Sequence, residues 1–227
     1  MLMVDITSWT STLMNKDHFK VFNFGLDKAQ FLKDARRIHN KINKNYADID
    51  QQDRYPTYQN YQKVLLEQLD GAPMSTKLHD YYNIFTFQYA SIHNLYKECV
   101  DAFKQVCNYQ DRYMYWVHGW INYQSKGESI PPHFHWKKLS GMDHCYIGTY
   151  YVNAEPSVTT YTFDNGYTEA RQNENDTYVI YEDVGDIHGT DVWQQDEFRI
   201  GITMEFVPMQ NLQISPFPLN TWMPVIL

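Results

Sequence analysis

The chain has 227 residues, enough for one large domain or for a β core with a helical extension. Hydrophobic residues make up 43% and charged residues 20%, which is the composition of a folded rather than a disordered protein. The net charge of -8 argues against a nucleic-acid partner. No apolar run approaches the roughly 20 residues of a membrane helix, so we expect no membrane span.

The cysteines and the N-terminal residues indicate the cellular compartment in which we expect the protein. There are three cysteines and no Cys-x-x-Cys pair, which argues against a disulfide framework and favours a reducing compartment. The N-terminal residues lack a basic segment followed by an apolar stretch, so a secretory signal is not expected. We therefore expect a cytoplasmic protein.

The N-terminal half carries one strand pattern and two helical patterns. Apolar residues alternate over 19–24, which predicts a short strand. Phe31, Ala35, Ile38 and Ile42 recur at helical spacing, which predicts an amphipathic helix over 27–45. A second helical region is predicted from about 76 to 108. Residues 1–111 are therefore expected to form a mostly helical region that supports a sheet.

The composition changes at about Arg112, where β-branched and aromatic residues become frequent. Strands separated by turns are predicted over 113–124, 145–153, 158–163, 177–181 and 198–207. Strands at this spacing without intervening helices predict an all-β sandwich or barrel over 112–208. Residues 209–227 carry three prolines and are expected to form a C-terminal tail without regular structure.

Two histidines one residue apart follow a proline pair in Pro131-Pro132-His133-Phe134-His135. Because side chains alternate along a strand, His133 and His135 point to the same face. If His188 arrives from a neighbouring strand, three imidazoles converge as a divalent metal requires. A polar strand face beside a turn explains the histidine pair equally well. His144 lies near the pair and stays a minor candidate.

Arg199 begins a strongly apolar strand and shares one face with Gly201 and Thr203. An arginine that points into a barrel is costly unless it meets an anion. A guanidinium binds a carboxylate through two hydrogen bonds, so a dicarboxylate ligand fits this position. An ion pair with Asp196 or Glu197 is an equally good explanation.

Taken in order, these segments resemble the motifs of the iron(II)- and 2-oxoglutarate-dependent dioxygenases, over roughly 112–207. The matching segments are His133-Phe134-His135, Tyr146-Ile147-Gly148-Thr149-Tyr150-Tyr151-Val152, His188 and Arg199-Ile200-Gly201-Ile202-Thr203. The chain looks most like uncharacterised oxygenases of that superfamily encoded in phage and bacterial genomes. A phage-encoded protein would act in the host cytoplasm.

The resemblance implies a double-stranded β-helix of the jelly-roll or cupin type with N-terminal helices, an α+β chain. It implies iron(II) held by His133, His135 and His188. Arg199 would hold the distal carboxylate of 2-oxoglutarate. The further cosubstrate residues that it implies are Thr203, Asn122 and either Tyr146 or Tyr150.

One position departs from the family pattern, because His135 stands where the family has Asp or Glu. Three neutral ligands would leave the site more positive than two histidines and a carboxylate. Another metal, or an acid elsewhere such as Asp143, Asp186 or Asp191, is therefore possible. The departure also leaves open a cupin-type metalloenzyme with three histidines and no 2-oxoglutarate, although Arg199 argues against it.

The resemblance implies oxidation by molecular oxygen, with release of succinate and CO2 and hydroxylation as the default outcome. A peptidyl side chain or a small metabolite is the expected substrate. Three tryptophans are candidates for the substrate cleft, although aromatic residues of a β domain more often lie in the core: Trp120, Trp136 and Trp193. The third possibility is a catalytically inactive β-sandwich that serves binding or assembly.

Overall fold

Helices and strands follow one another in a computed structural model that describes residues 18–46, 69–107, 114–135, 143–209 and 221–226. The helices are α1 (Lys28–Tyr46), α2 (Met74–Lys77) and α3 (Ala90–Val106), with 3-10 turns at His79–Tyr81 and Ile84–Thr86. The strands are β1 (Lys20–Asn23), β2 (Met114–Gln124), β3 (Tyr146–Asn153), β4 (Val158–Thr162), β5 (Thr168–Gln172), β6 (Thr177–Glu182), β7 (Ile187–Thr190), β8 (Arg199–Pro208) and β9 (Met223–Ile226).

The strands form two antiparallel sheets. The major sheet has the order β1-β6-β3-β8-β2-β9 and the minor sheet the order β5-β4-β7. A bridge between His133 and His188 adds the segment before β3 to the minor sheet, beside β7. From β2 to β8 the chain therefore passes back and forth between the two sheets, which is the jelly-roll arrangement. The predicted double-stranded β-helix with helical support is confirmed.

Helices cover the outer face of the major sheet. The four apolar side chains of α1 that the spacing predicts are buried, including Phe31, Ile38 and Ile42, and Asp34 is buried beside them. From α3, Phe103 stacks on Phe206 of β8 with ring centroids 4.1 Å apart. Burying such aromatic rings contributes both apolar area and about 0.5–1.5 kcal/mol per favourable ring pair. The inner face of the major sheet is left to the minor sheet, and the site lies between them.

Several boundaries differ from the sequence expectation. The predicted helical region over 76–108 is interrupted, because α2 ends at Lys77, two 3-10 turns follow and α3 begins at Ala90. Asn83 caps the second of these turns by accepting a hydrogen bond from the backbone N–H of Phe85. The expectation of a tail without regular structure is wrong for Met223–Ile226, which pairs with β2. The sequence pattern does not predict strands β5 and β7, since neither is a strongly apolar run.

Two observations relate to the expected reducing compartment and to the expected absence of a membrane span. Cys99, Cys107 and Cys145 are free thiols. In the part of the chain that the structure describes, no helix is long and apolar enough to cross a membrane.

Gly189 sits directly after His188 in β7 and permits the close approach of the bridging segment. A Cβ at this position would lie 2.8 Å from the carbonyl oxygen of Ile130 and 2.9 Å from the nitrogen of Pro132, both of them backbone atoms. Backbone atoms cannot move aside as a flexible side chain can. We therefore expect Gly189→Ala to lower the free energy of unfolding by about 1–3 kcal/mol, as measured by urea denaturation.

Gly25→Ala is the matched control, because a Cβ at Gly25 meets no atom within 4 Å. Equal urea midpoints for the two variants would show that the contact at Gly189 does not constrain the fold.

Candidate metal centre

Three histidines meet at one end of the cavity between the sheets. The ligand nitrogens of His133, His135 and His188 all lie within 4.8 Å of one another. The Nε2 atoms of His135 and His188 are 3.2 Å apart. His133 and His188 are held opposite each other by two backbone hydrogen bonds, one in each direction and each 2.9 Å long. The sequence pattern predicts that His133 and His135 lie within a strand, whereas in the structure His133 forms an isolated β-bridge with His188.

Each imidazole has a hydrogen-bond acceptor at its Nδ1. His133 Nδ1 lies 2.9 Å from the carbonyl oxygen of Pro131, and His188 Nδ1 lies 2.9 Å from Asp186 Oδ2. His135 Nδ1 contacts Glu205 Oε1. Because these acceptors bind the Nδ1 protons, the neutral rings have their lone pairs at Nε2. The acceptors therefore select the tautomer that binds metals.

The environment of the rings favours a cation between them. Burial and the two neighbouring imidazoles hold the pKa of His133 well below its usual value, so this ring is neutral. Burial lowers the pKa of His135, but the hydrogen bond to Glu205 and its charge outweigh burial and raise it overall. Lone pairs that face each other across 3.2 Å repel unless a cation or a proton lies between them. The donor set fits a divalent metal of the type that imidazole prefers.

The other groups considered as ligands lie elsewhere. His144 is exposed and pairs with Glu182 at 3.2 Å. Asp186 lies behind His188 and does not belong to the cluster. Asp191 accepts a hydrogen bond from the backbone of Val158. Among the described residues, the group of potential ligands contains the three histidines and no carboxylate.

Arg199 lines the same cavity. Only 2% of its surface is exposed. Its Nε donates to Ser157 Oγ at 2.9 Å and its Nη1 donates to Gln124 Oε1. Burial lowers the pKa of the guanidinium. Among the described residues no carboxylate lies within ion-pair distance of Arg199, and Asp196 pairs with Lys126 instead.

Polar side chains from three strands form hydrogen bonds with one another in the cavity that Arg199 lines. Asn122 of β2 donates to Thr203 Oγ1 of β8 at 2.8 Å and accepts a hydrogen bond from Thr76 at 2.8 Å. Thr149 of β3 lies 3.1 Å from the same Thr203 oxygen. All four side chains line the cavity. Asn122, Thr203 and Arg199 therefore line the same cavity.

Tyr146 and Tyr150 are not in the cavity, which corrects the sequence expectation. Both belong to the core between the major sheet and the helices, where Tyr150 stacks against Phe24. Since side chains alternate along β3, it is Thr149 and Tyr151 that line the cavity. The register supplies the reason: Thr149 pairs with Thr203, so the two residues share a face.

The tryptophans expected at the substrate cleft also differ in whether they line the cavity. Trp120 lines the cavity, with its ring centroid 6.2 Å from that of His135. Trp193 is buried outside the cavity lining, and its Nε1 donates to the carbonyl oxygen of Glu197. Trp136 lies outside the described residues.

Cavity residues that the sequence analysis did not identify come from distant segments. Trp222 lies immediately before β9, and His79 belongs to a 3-10 turn. His118 of β2 also lines the cavity, and its ring centroid lies 5.1 Å from that of Trp222. The alternation of β2 was the available signal, because His118, Trp120 and Asn122 share one face.

No family model and no curated protein matches the chain. Solved structures do match. A prolyl hydroxylase from Trichoplax adhaerens, in complex with a hypoxia inducible factor oxygen degradation domain peptide fragment, is 12% identical, with a TM-score of 0.58 and 88% of each chain covered. The chain folds as a double-stranded β-helix.

Two further double-stranded β-helix structures match over most of their length. AviO1 from Streptomyces viridochromogenes Tue57 is 10% identical, with a TM-score of 0.56, covering 89% of this chain and 93% of that one. A prolyl-4-hydroxylase from Pseudomonas putida is 9% identical, with a TM-score of 0.50, covering 84% and 92%. At these identities the likeness concerns the fold, so the function is argued from the site.

The three histidines predict binding of a divalent metal. We expect Co(II) to bind with visible d–d absorption and to raise the melting temperature. A ligand at 100 times its Kd stabilises by about 2.7 kcal/mol, which shifts the melting temperature by several degrees in a chain of this size. His133→Ala should lose both effects.

His93→Ala serves as the control, since His93 is exposed on α3. If the two variants bind Co(II) equally well, the metal does not bind at the three histidines.

Proposed function

We propose that this double-stranded β-helix is an iron(II)- and 2-oxoglutarate-dependent oxygenase. The observation that carries the proposal is a buried arginine without a carboxylate partner among the described residues, in the same cavity as three histidines. Iron(II) would be held by His133, His135 and His188. When bound, the metal would supply the oxygen chemistry, in which one atom of O2 enters succinate as 2-oxoglutarate loses CO2 and the other atom enters the substrate as a hydroxyl group.

Arg199 would bind the distal carboxylate of 2-oxoglutarate. A guanidinium offers a planar set of donors that matches a carboxylate, and two of its nitrogens are already fixed by Ser157 and Gln124. The carboxylate would offset a charge whose burial is otherwise unfavourable. Thr203, Asn122 and Thr149 line the same cavity and would serve as hydroxyl and amide partners for the cosubstrate.

A metalloenzyme with three histidines and no 2-oxoglutarate is the alternative. The donor set favours it, since the described cluster has no carboxylate ligand. Such an enzyme would have no anion to place at Arg199, and for this reason we prefer the 2-oxoglutarate reaction. A non-catalytic binding protein would require neither the tautomer-selecting acceptors nor the buried arginine.

The substrate side of the cavity is aromatic. Trp120 and Trp222, with His79 and His118, line the cavity beyond His135. Aromatic faces of this kind bind flat or ring-shaped groups and exclude water from the reacting centre. Two of the matching structures are prolyl hydroxylases by name. We therefore propose a peptidyl side chain, or a small metabolite of similar shape, as the substrate. We also propose the reducing cytoplasm as the compartment, because the three cysteines form no Cys-x-x-Cys pair.

Arg199→Ala tests the cosubstrate assignment. Removing one partner of a buried, hydrogen-bonded charge pair costs about 2–5 kcal/mol, so 2-oxoglutarate should bind at least about 30-fold more weakly. Binding is measured by anaerobic calorimetry on iron(II)-loaded protein, together with visible charge-transfer absorption. Iron(II) itself should still bind.

Arg36→Ala is the control, because Arg36 is exposed on α1. Iron(II) binding without 2-oxoglutarate binding in the unaltered protein would favour the three-histidine alternative. Binding of neither would leave the non-catalytic protein as the remaining explanation.

A further inference from the structure

Two buried carboxylates lie directly behind the histidine cluster. Glu205 is 8% exposed and Asp186 is 1% exposed. Glu205 contacts Nδ1 of His135, and Asp186 lies 2.9 Å from Nδ1 of His188. His133 differs, because its Nδ1 faces a neutral carbonyl oxygen. Two of the three imidazoles are therefore backed by a full negative charge.

Strand β8 places Glu205 in the cavity. Its inward face carries Arg199, Thr203 and Glu205 at alternate positions, and all three line the cavity. A carboxylate on the inner face of a buried strand is costly unless a positive charge lies near it. The imidazole of His135 transmits such a charge when its Nε2 holds a metal ion.

Asp186 is in a similar situation. Its Oδ2 accepts hydrogen bonds from His188 and from the Tyr181 hydroxyl at 3.2 Å. Its Oδ1 is buried and has no hydrogen-bond partner among the described residues. A buried carboxylate with one unsatisfied oxygen is unfavourable in isolation, but it is stabilised by a divalent ion on the far side of His188.

We propose that Glu205 and Asp186 act as positioning residues that supply, through His135 and His188, the negative charge that a carboxylate ligand would supply directly. The inference rests on the proposed metal site and concerns how that site holds a dication with neutral ligands. Each carboxylate fixes its imidazole with Nε2 toward the metal and increases the electron density of that ring. The pair thus offsets the charge that three histidines leave uncompensated.

Glu205→Gln separates charge from hydrogen bonding. The glutamine oxygen still accepts the Nδ1 proton of His135, while the negative charge is lost. Losing such an outer partner typically weakens metal binding 10- to 100-fold, and we expect a loss in this range for Co(II). Asp186→Asn should give a loss of similar size. The metal-free variants should show melting temperatures close to that of the unaltered protein.

Glu182→Gln is the matched control, because Glu182 is a glutamate on β6 that pairs with His144 and not with the cluster. Co(II) affinity should be unchanged in this variant. If Glu205→Gln binds Co(II) as tightly as Glu182→Gln does, the inference about Glu205 is wrong.

A double-mutant cycle with His135→Asp tests whether Glu205 acts through His135. With an aspartate at position 135, the metal has a carboxylate ligand and Glu205 has lost its imidazole partner. Glu205→Gln should then no longer weaken Co(II) binding, and relief of repulsion between two acids should make binding equal or tighter. The same loss in both backgrounds would overturn the inference.

The metal titration of the unaltered protein keeps this inference separate from the proposed function. If the unaltered protein binds no Co(II), the metal site fails and the inference fails with it. If it binds Co(II) and Glu205→Gln binds equally well, only the inference fails.

Discussion

The two backbone hydrogen bonds between His133 and His188 fix the geometry on which the site depends. Residues paired in this way stand directly opposite each other, so their side chains leave the sheet on the same face. Neither ligand then relies on a flexible loop for its direction. This pairing requires a glycine directly after His188, because the backbone of residues 130–132 occupies the space that a side chain at position 189 would need. Backbone packing thereby sets the spacing of the candidate ligands.

Strand β8 links the two ends of the cavity. Arg199 is its first residue and Glu205 lies six residues further, a distance of about 20 Å along an extended strand. Pairing with β2 on one side and β3 on the other buries the whole strand and fixes its side-chain direction. Arg199, the proposed anion-binding group, and the carboxylate behind the histidine cluster therefore belong to one rigid element, which favours a preorganised site.

The sequence identified those parts of the fold that depend on local periodicity. The α1 helix and the strands β1, β2, β3, β4, β6 and β8 each carry a clear pattern, and the inward face of Arg199 and Thr203 follows from alternation alone. Alternation alone does not show which side of β3 faces the cavity, because that depends on the pairing of Thr149 with Thr203. Without that register, Tyr146 and Tyr150 could not be distinguished from Tyr151.

Cavity residues brought from distant segments were missed for a related reason. Trp222 reaches the cavity because β9 pairs with β2, and the prolines around it gave no strand pattern. Strand β7 is short and contains His188 and Gly189, so it carried no apolar signal although it holds a candidate ligand. Non-local pairing decided both positions, and a single sequence contains little information about such pairing.

The distribution of charge in the cavity favours a dicarboxylate ligand over a single metal ion. Three neutral imidazoles leave a bound dication with its full charge, and the carboxylates of Glu205 and Asp186 offset that charge from behind. Neither acid forms an ion pair with Arg199, and no carboxylate lies within ion-pair distance of it in the described part of the chain. A ligand with one carboxylate for the metal and a second for the guanidinium would offset both positive charges. 2-Oxoglutarate carries two such carboxylates, and a metal ion alone would leave the buried guanidinium without an ion-pair partner among the described residues.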